Sequence, residues 1–140
     1  MYLRVRPNPQ KGLGGIIMVK VILNEQHSLM EQQKTLLDQI FGEGKWDFLK
    51  VPSNGWSLEE QIKIANSLVG TVFEKSTIVF ASPVPVLMSR LSSLMGEQKA
   101  LQIQGTQVFV MHNDRREKKE LPGGKVISVV AKEGWQLVEI

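Results

Sequence analysis

A chain of 140 residues with 42% apolar and 22% charged side chains has the length and balance of one ordinary globular domain. No apolar run approaches the roughly 18 residues that span a bilayer. The absence of cysteine excludes disulfides, a thiolate nucleophile and cysteine-based metal sites, and suits a cytoplasmic protein. The net charge of +3 lies in residues 1–17, where Arg4, Arg6 and Lys11 meet no acid; the other 14 of the 17 basic residues balance all 14 acids. The body of the chain is therefore no polyanion-binding surface, which argues against general DNA or RNA binding.

Residues 1–17 contain Pro7, Pro9 and Gly12-Leu13-Gly14-Gly15 and no helical period. They read as a flexible basic arm, or as residues upstream of a natural start at Met18. No apolar stretch follows their basic residues, as a secretory signal requires. Residues 18–140 read as a single α/β domain.

Val19 to Leu23 is nearly all apolar, as expected of a strand buried on both faces. A polar link, Asn24-Glu25-Gln26-His27, leads to Ser28-Leu29-Met30-Glu31, the pattern of a capping box with serine at the N-cap. Leu29, Leu36, Leu37, Ile40 and Phe41 fall on one helical face, and Gly42 supplies the stop. Trp46 to Val51 is a second strand. Ser57-Leu58-Glu59-Glu60 is a second capping box, opening a helix lined by Leu58, Ile62, Ala65, Leu68 and Val69 and ended by Gly70. Thr77 to Ala81 is a third strand, after which Ser82 caps a third helix with Pro83 in its first position. Val84, Leu87, Met88, Leu91, Leu94 and Met95 form that helix's apolar stripe, up to Gly96.

Gln107 to Met111 reads as a fourth strand and His112 to Gly124 as a charged connection. Lys125 to Ala131 and Trp135 to Ile140 read as two strands joined at Lys132-Glu133-Gly134. The order βαβαβαβ with right-handed crossovers predicts a Rossmann-like, doubly wound, mostly parallel sheet, here with a C-terminal antiparallel β-hairpin. Helix N-termini then gather along one sheet edge, where backbone N–H groups can hold an anion.

Three groups on that edge can carry chemistry. Asn24, His27 and Ser28 follow the first strand, and a histidine there can donate to a phosphate or move a proton near neutral pH. The same residues also serve simply to cover and cap a helix end. Ser82 with Pro83 can grip a phosphate or carboxylate through its hydroxyl and nearby N–H groups, or act as a plain cap. Arg115 and Arg116, in a run of four bases and three acids over residues 114–120, can close over an anion or belong to a solvated loop. Trp56 and Trp135 can stack on a base, pack in the core or meet a second subunit. No Gly-rich dinucleotide fingerprint, phosphate loop, HExxH motif or Gly-x-Ser-x-Gly elbow is present, so the sequence calls for no cofactor and no metal.

The strand ending in Asn24, the His27-Ser28-Leu29 step with Gln32-Gln33 behind it, and the strand closing on Val51-Pro52 with Trp56 beyond resemble the small CRISPR-associated Rossmann-like proteins. These are stand-alone relatives of cyclic-oligoadenylate-sensing domains and include ring nucleases. The likeness spans roughly residues 18–116. It implies a homodimer that binds a cyclic oligoadenylate across its two-fold axis; members that cut the ring do so without metal, a ribose 2′-hydroxyl attacking the adjacent phosphate. Carried over by position, Asn24, Ser28 and Ser82 would hold ribose and phosphate. His27 would move the proton, and Arg115 or Arg116 would stabilise charge on the phosphorane. The rival expectations are a non-enzymatic dimer or partner-binding protein using the hairpin and Trp135, and a small-metabolite binder using the same helix ends.

Overall fold

The computed structural model describes residues 18–140; the flexible basic arm expected over residues 1–17 lies outside the described residues. Ten elements follow in order: β1 (Val19–Asn24), α1 (Glu31–Phe41), β2 (Trp46–Val51), α2 (Leu58–Leu68), β3 (Ser76–Phe80), α3 (Pro85–Ala100), β4 (Thr106–His112), β5 (Arg116–Glu120), β6 (Val126–Val130) and β7 (Gln136–Glu139). Five strands form one sheet in the order β2-β1-β3-β4-β7, while β5 and β6 form a separate two-stranded sheet. β1 to β4 are mutually parallel, and β7 runs antiparallel beside β4.

Neighbouring residues on the central strands are buried on opposite sides, which is why those strands read as unbroken apolar runs. Val21, Val79 and Phe109 face α1, packing with Leu37 and Ile40. Ile22, Ile78, Phe80 and Val108 face the other way, against Ala65 of α2 and Leu87 and Leu91 of α3. Helices thus cover both faces, as a doubly wound sheet requires. Each fully buried leucine, Leu37, Leu87 or Leu91, contributes about 1.5–3 kcal/mol from burial. Trp56 and Trp135 are both half-buried and pack against opposite cores, so neither is an open stacking platform.

At the sheet's amino edge two glycines cross. A Cβ on Gly70 would run into the Gly105 carbonyl oxygen. Thr106 Oγ1 accepts from the Gly70 N–H and donates to Gln98 Oε1, while Gln98 Nε2 donates to the Gly70 carbonyl. Gly70 therefore allows a close crossing of chains just beyond α2, which stops at Leu68.

The hairpin is present, with different strands from those the sequence suggested. Arg116–Glu120, within the expected charged connection, is a strand that pairs with Val126–Val130. Gln136–Glu139 leaves that partner and joins the main sheet opposite residues 109–112 of β4. The reason is burial. Leu137 gains full enclosure at the sheet edge, whereas no residue of β6, the expected partner, is itself fully buried. α3 likewise runs past the expected stop at Gly96, to Ala100.

Candidate functional site

β1 leads through α1 to β2 on one side, and β3 leads through α3 to β4 on the other. Their shared carboxyl edge is thus the topological switch point, where open α/β sheets place their ligands. The two exits are joined there. The Asn24 backbone N–H donates to Ser82 Oγ at 2.9 Å, and the Ser82 and Ala81 N–H groups both donate to the Ile22 carbonyl. Ser82 is buried, with 6% of its surface exposed.

This differs from the expected role of Ser82 as a helix cap. Val84, extended at φ −134° and ψ 85°, is the N-cap, and Pro85 opens the helix. A residue before proline is driven out of the α region, so Ser82 before Pro83 and Val84 before Pro85 both stay outside the helix, which begins at Pro85. The Ser82 hydroxyl is then left to bind β1. Of the first N–H groups of α3, Pro85 has none and that of Leu87 is taken by Gln61 Oε1 of α2.

Ser28 is not a cap either. Leu29 is drawn into the core, which keeps the link extended until Met30 (φ −73°, ψ 156°), and α1 begins at Glu31. Gln33, itself buried, closes the helix end by accepting from the Met30 N–H through Oε1 at 2.8 Å. Ser57 does cap α2: its hydroxyl accepts from the Glu60 N–H and the Glu60 carboxylate accepts from the Ser57 N–H, both at 3.1 Å. Among the described helices only α2 therefore carries a side-chain cap; Gln33 meets the Met30 N–H before α1 and Gln61 one N–H of α3, and Glu31, Glu59 and Glu60 add negative charge at the starts of α1 and α2. Neither Ser28 nor Ser82 caps the helix it was expected to cap, and side chains of the links share this edge with the α1 N-terminus, which has no side-chain cap.

Those side chains are arranged by Asn24. Its Oδ1 accepts from the Gln26 N–H and its carbonyl from the His27 N–H, both at 2.9 Å, folding the link back on the strand end. His27 and Ser28 are left exposed on the rim. The Glu25 carboxylate accepts from the Ser53 N–H at 2.6 Å, tying the link to the end of β2.

The hairpin residues are held separately. Asn113 donates through Nδ2 to the Ala131 and Glu133 carbonyls and accepts from the Arg115 N–H. The Arg115 side chain lies against Gly134, whose φ of 95° no L side chain adopts readily. This turn is clamped to α1 by Gln32, which accepts from the Trp135 N–H at 2.8 Å and donates to Glu133 Oε2 at 2.7 Å. Beside the clamp, Trp135 Nε1 is buried with no hydrogen-bond partner among the described residues. Arg115 thus stands over the same edge as Asn24 and Ser82, across the width of β3 and with no direct contact to them. Arg116 begins β5 and is exposed.

The structure therefore brings Asn24 and Ser82 into contact, sets His27 and Ser28 beside them, and keeps Arg115 and Arg116 apart. Gln32, Gln33, Gln61 and Asn113 were not singled out for these contacts by sequence; glutamine three residues after Met30 was the one available signal. An open groove of about 680 Å³ lies at the opposite, amino edge of the sheet, lined in part by Gln98, Lys99, Thr106 and Glu139. It holds no histidine, and Gln98 and Thr106 are already bound to Gly70, so the chemistry-bearing residues favour the carboxyl edge. Among the described residues no cluster of histidine, aspartate and glutamate is placed to hold a metal ion, and no helix is long and apolar enough to cross a membrane. The chain matches no protein-family model, no curated protein and no solved structure with which it was compared.

Proposed function

We propose that the protein binds a cyclic oligoadenylate over the β1/β3 switch point in CRISPR antiviral signalling and opens the ring without metal. The observation that carries this reading is the Asn24–Ser82 bond. It fixes the two exits against each other, so the rim bearing His27 and Ser28 is a preorganised edge. Ribose and phosphate contacts are assigned to the Asn24 amide nitrogen, the Ser28 hydroxyl and the Arg115 guanidinium.

In the cleavage step the ribose 2′-oxygen bonds to the adjacent phosphorus as the bond to the 5′-oxygen breaks. The products are a 2′,3′-cyclic phosphate and a 5′-hydroxyl. His27 serves one proton transfer, taking the 2′-hydroxyl proton or giving one to the departing 5′-oxygen, and water serves the other. Arg115 offsets charge on the phosphorane.

Incubation with cyclic tetra- and hexa-adenylate in EDTA, followed by chromatography and by thermal melting, tests both parts. A raised melting temperature with linear products is expected, and His27→Ala slows cleavage at least about tenfold. Neither shift nor product overturns the reading; binding without cleavage removes the catalytic half.

A further inference from the structure

We propose that two copies of this chain associate through the outer edge of β5, antiparallel and two-fold symmetric about Lys118. Among the described residues β5 pairs only with β6, and all five of its residues are exposed. A two-stranded sheet is marginal alone, and a free edge is a template for another strand.

The charge order of that edge selects the partner. β5 reads Arg116-Glu117-Lys118-Lys119-Glu120. Turned about Lys118, a second copy sets its Glu120 opposite Arg116 and its Lys119 opposite Glu117, and symmetry repeats both pairs. Only Lys118 meets a like charge, its own copy. Opposite charges directly across an antiparallel pair stabilise it, and like charges oppose it.

Slipping by one residue brings Arg116 opposite Lys119 in one direction. In the other direction it brings Glu117 opposite Glu120 and Lys118 opposite Lys119. A parallel in-register pairing sets every charge against itself. A slip of two residues sets Lys118 opposite Glu120 but loses the Arg116–Glu120 and Glu117–Lys119 pairs, so charges that ordinarily guard an edge against indiscriminate pairing here favour the pairing centred on Lys118. The product is an isologous four-stranded sheet, β6-β5-β5-β6, closed at two copies. The interface is argued from the β5 edge alone, and its test uses no ligand, so its failure and the failure of the ligand reading are distinguishable.

Sedimentation of the full chain without ligand tests it. The wild type is expected to be dimeric, with a dissociation constant that rises with salt. Arg116→Glu and Glu120→Arg each set like charges opposite, and each is expected to weaken the dimer about tenfold or more. Mixing the two variants restores complementary pairs, as does carrying both substitutions in one chain; circular dichroism checks that each variant is folded. A monomeric wild type, singles that dimerise as the wild type does, or a mixture that stays monomeric would each overturn the proposal.

Discussion

The Asn24 N–H and the Ser82 hydroxyl, 58 residues apart in sequence, meet at 2.9 Å where β1 and β3 leave the sheet. Their bond does what neither local sequence asks for. Ser82 precedes proline and is barred from the helix, so its hydroxyl turns inward to satisfy a backbone donor at the end of the adjacent strand. Ser82→Ala would leave that donor without its partner in a part-buried setting, costing about 1–3 kcal/mol. Urea denaturation measures it, and a loss within the roughly 0.5 kcal/mol of an ordinary surface change would show the bond to be incidental. The same variant should also weaken cyclic-oligoadenylate binding, because the rim is no longer held.

Gly70 and Gly105 hold the other end of the sheet by being small. An added Cβ at Gly70 meets the Gly105 carbonyl oxygen and, at 2.7 Å, the Ser76 backbone nitrogen, neither of which can swing aside. Gly70→Ala is therefore expected to cost about 3 kcal/mol or more. Gly96, on the exposed side of α3 with open space around it, behaves in the opposite sense. Gly96→Ala should stabilise by about 0.5–1 kcal/mol through backbone entropy and helix propensity. Opposite signs in parallel urea melts are the expected result, and equal effects would mean that the crossing is not tight.

The layered α/β order was legible because it is written locally. Alternate faces of Val21-Ile22 and Ile78-Val79 are both apolar, and Ser57 with Glu60 encodes a cap within four residues. What was not legible depends on residues far apart. Leu29 reads as apolar helix face, but nothing near Ser28 announces that it will be buried ahead of the helix and delay its start, and nothing near Trp135 says that β7 will leave β6 for β4. The candidate edge could be read in outline, since strand exits gather there in any such sheet. The actual joint of Asn24 with Ser82, and the clamp of Gln32 on Trp135, required the fold.

Gln32 couples α1 to the turn that supports Arg115. With Gln32→Ala the Trp135 N–H loses its acceptor and Glu133 its donor, for about 1 kcal/mol. The effect should be local. Hydrogen exchange at the Trp135 amide would speed up while amides of β1 and β3 keep their protection. Uniform acceleration across the sheet would instead mean that the clamp supports the whole core.

The start of α2 sets a pH dependence whose direction follows from its cap. The Ser57 backbone N–H, then the Ser57 hydroxyl, hold the Glu60 carboxyl below the ordinary carboxylate value, with Lys63 adding a smaller pull. The folded state thus takes up this proton less readily than the unfolded chain. The contribution is complete above the ordinary carboxylate value and is lost as pH falls through the lowered folded one. Glu60→Gln keeps an acceptor for the Ser57 N–H but does not titrate. The melting-temperature gap between wild type and Glu60→Gln should therefore be constant near neutrality and shrink through the acid range. Because Glu60 is exposed, the gap is small and falls further in high salt. Ser57→Ala removes the hydroxyl's share, so the Glu60 carboxyl resonance in an NMR titration should move part of the way back toward the ordinary value. A Glu60 titration that ignores Ser57 would assign the shift to something other than the cap.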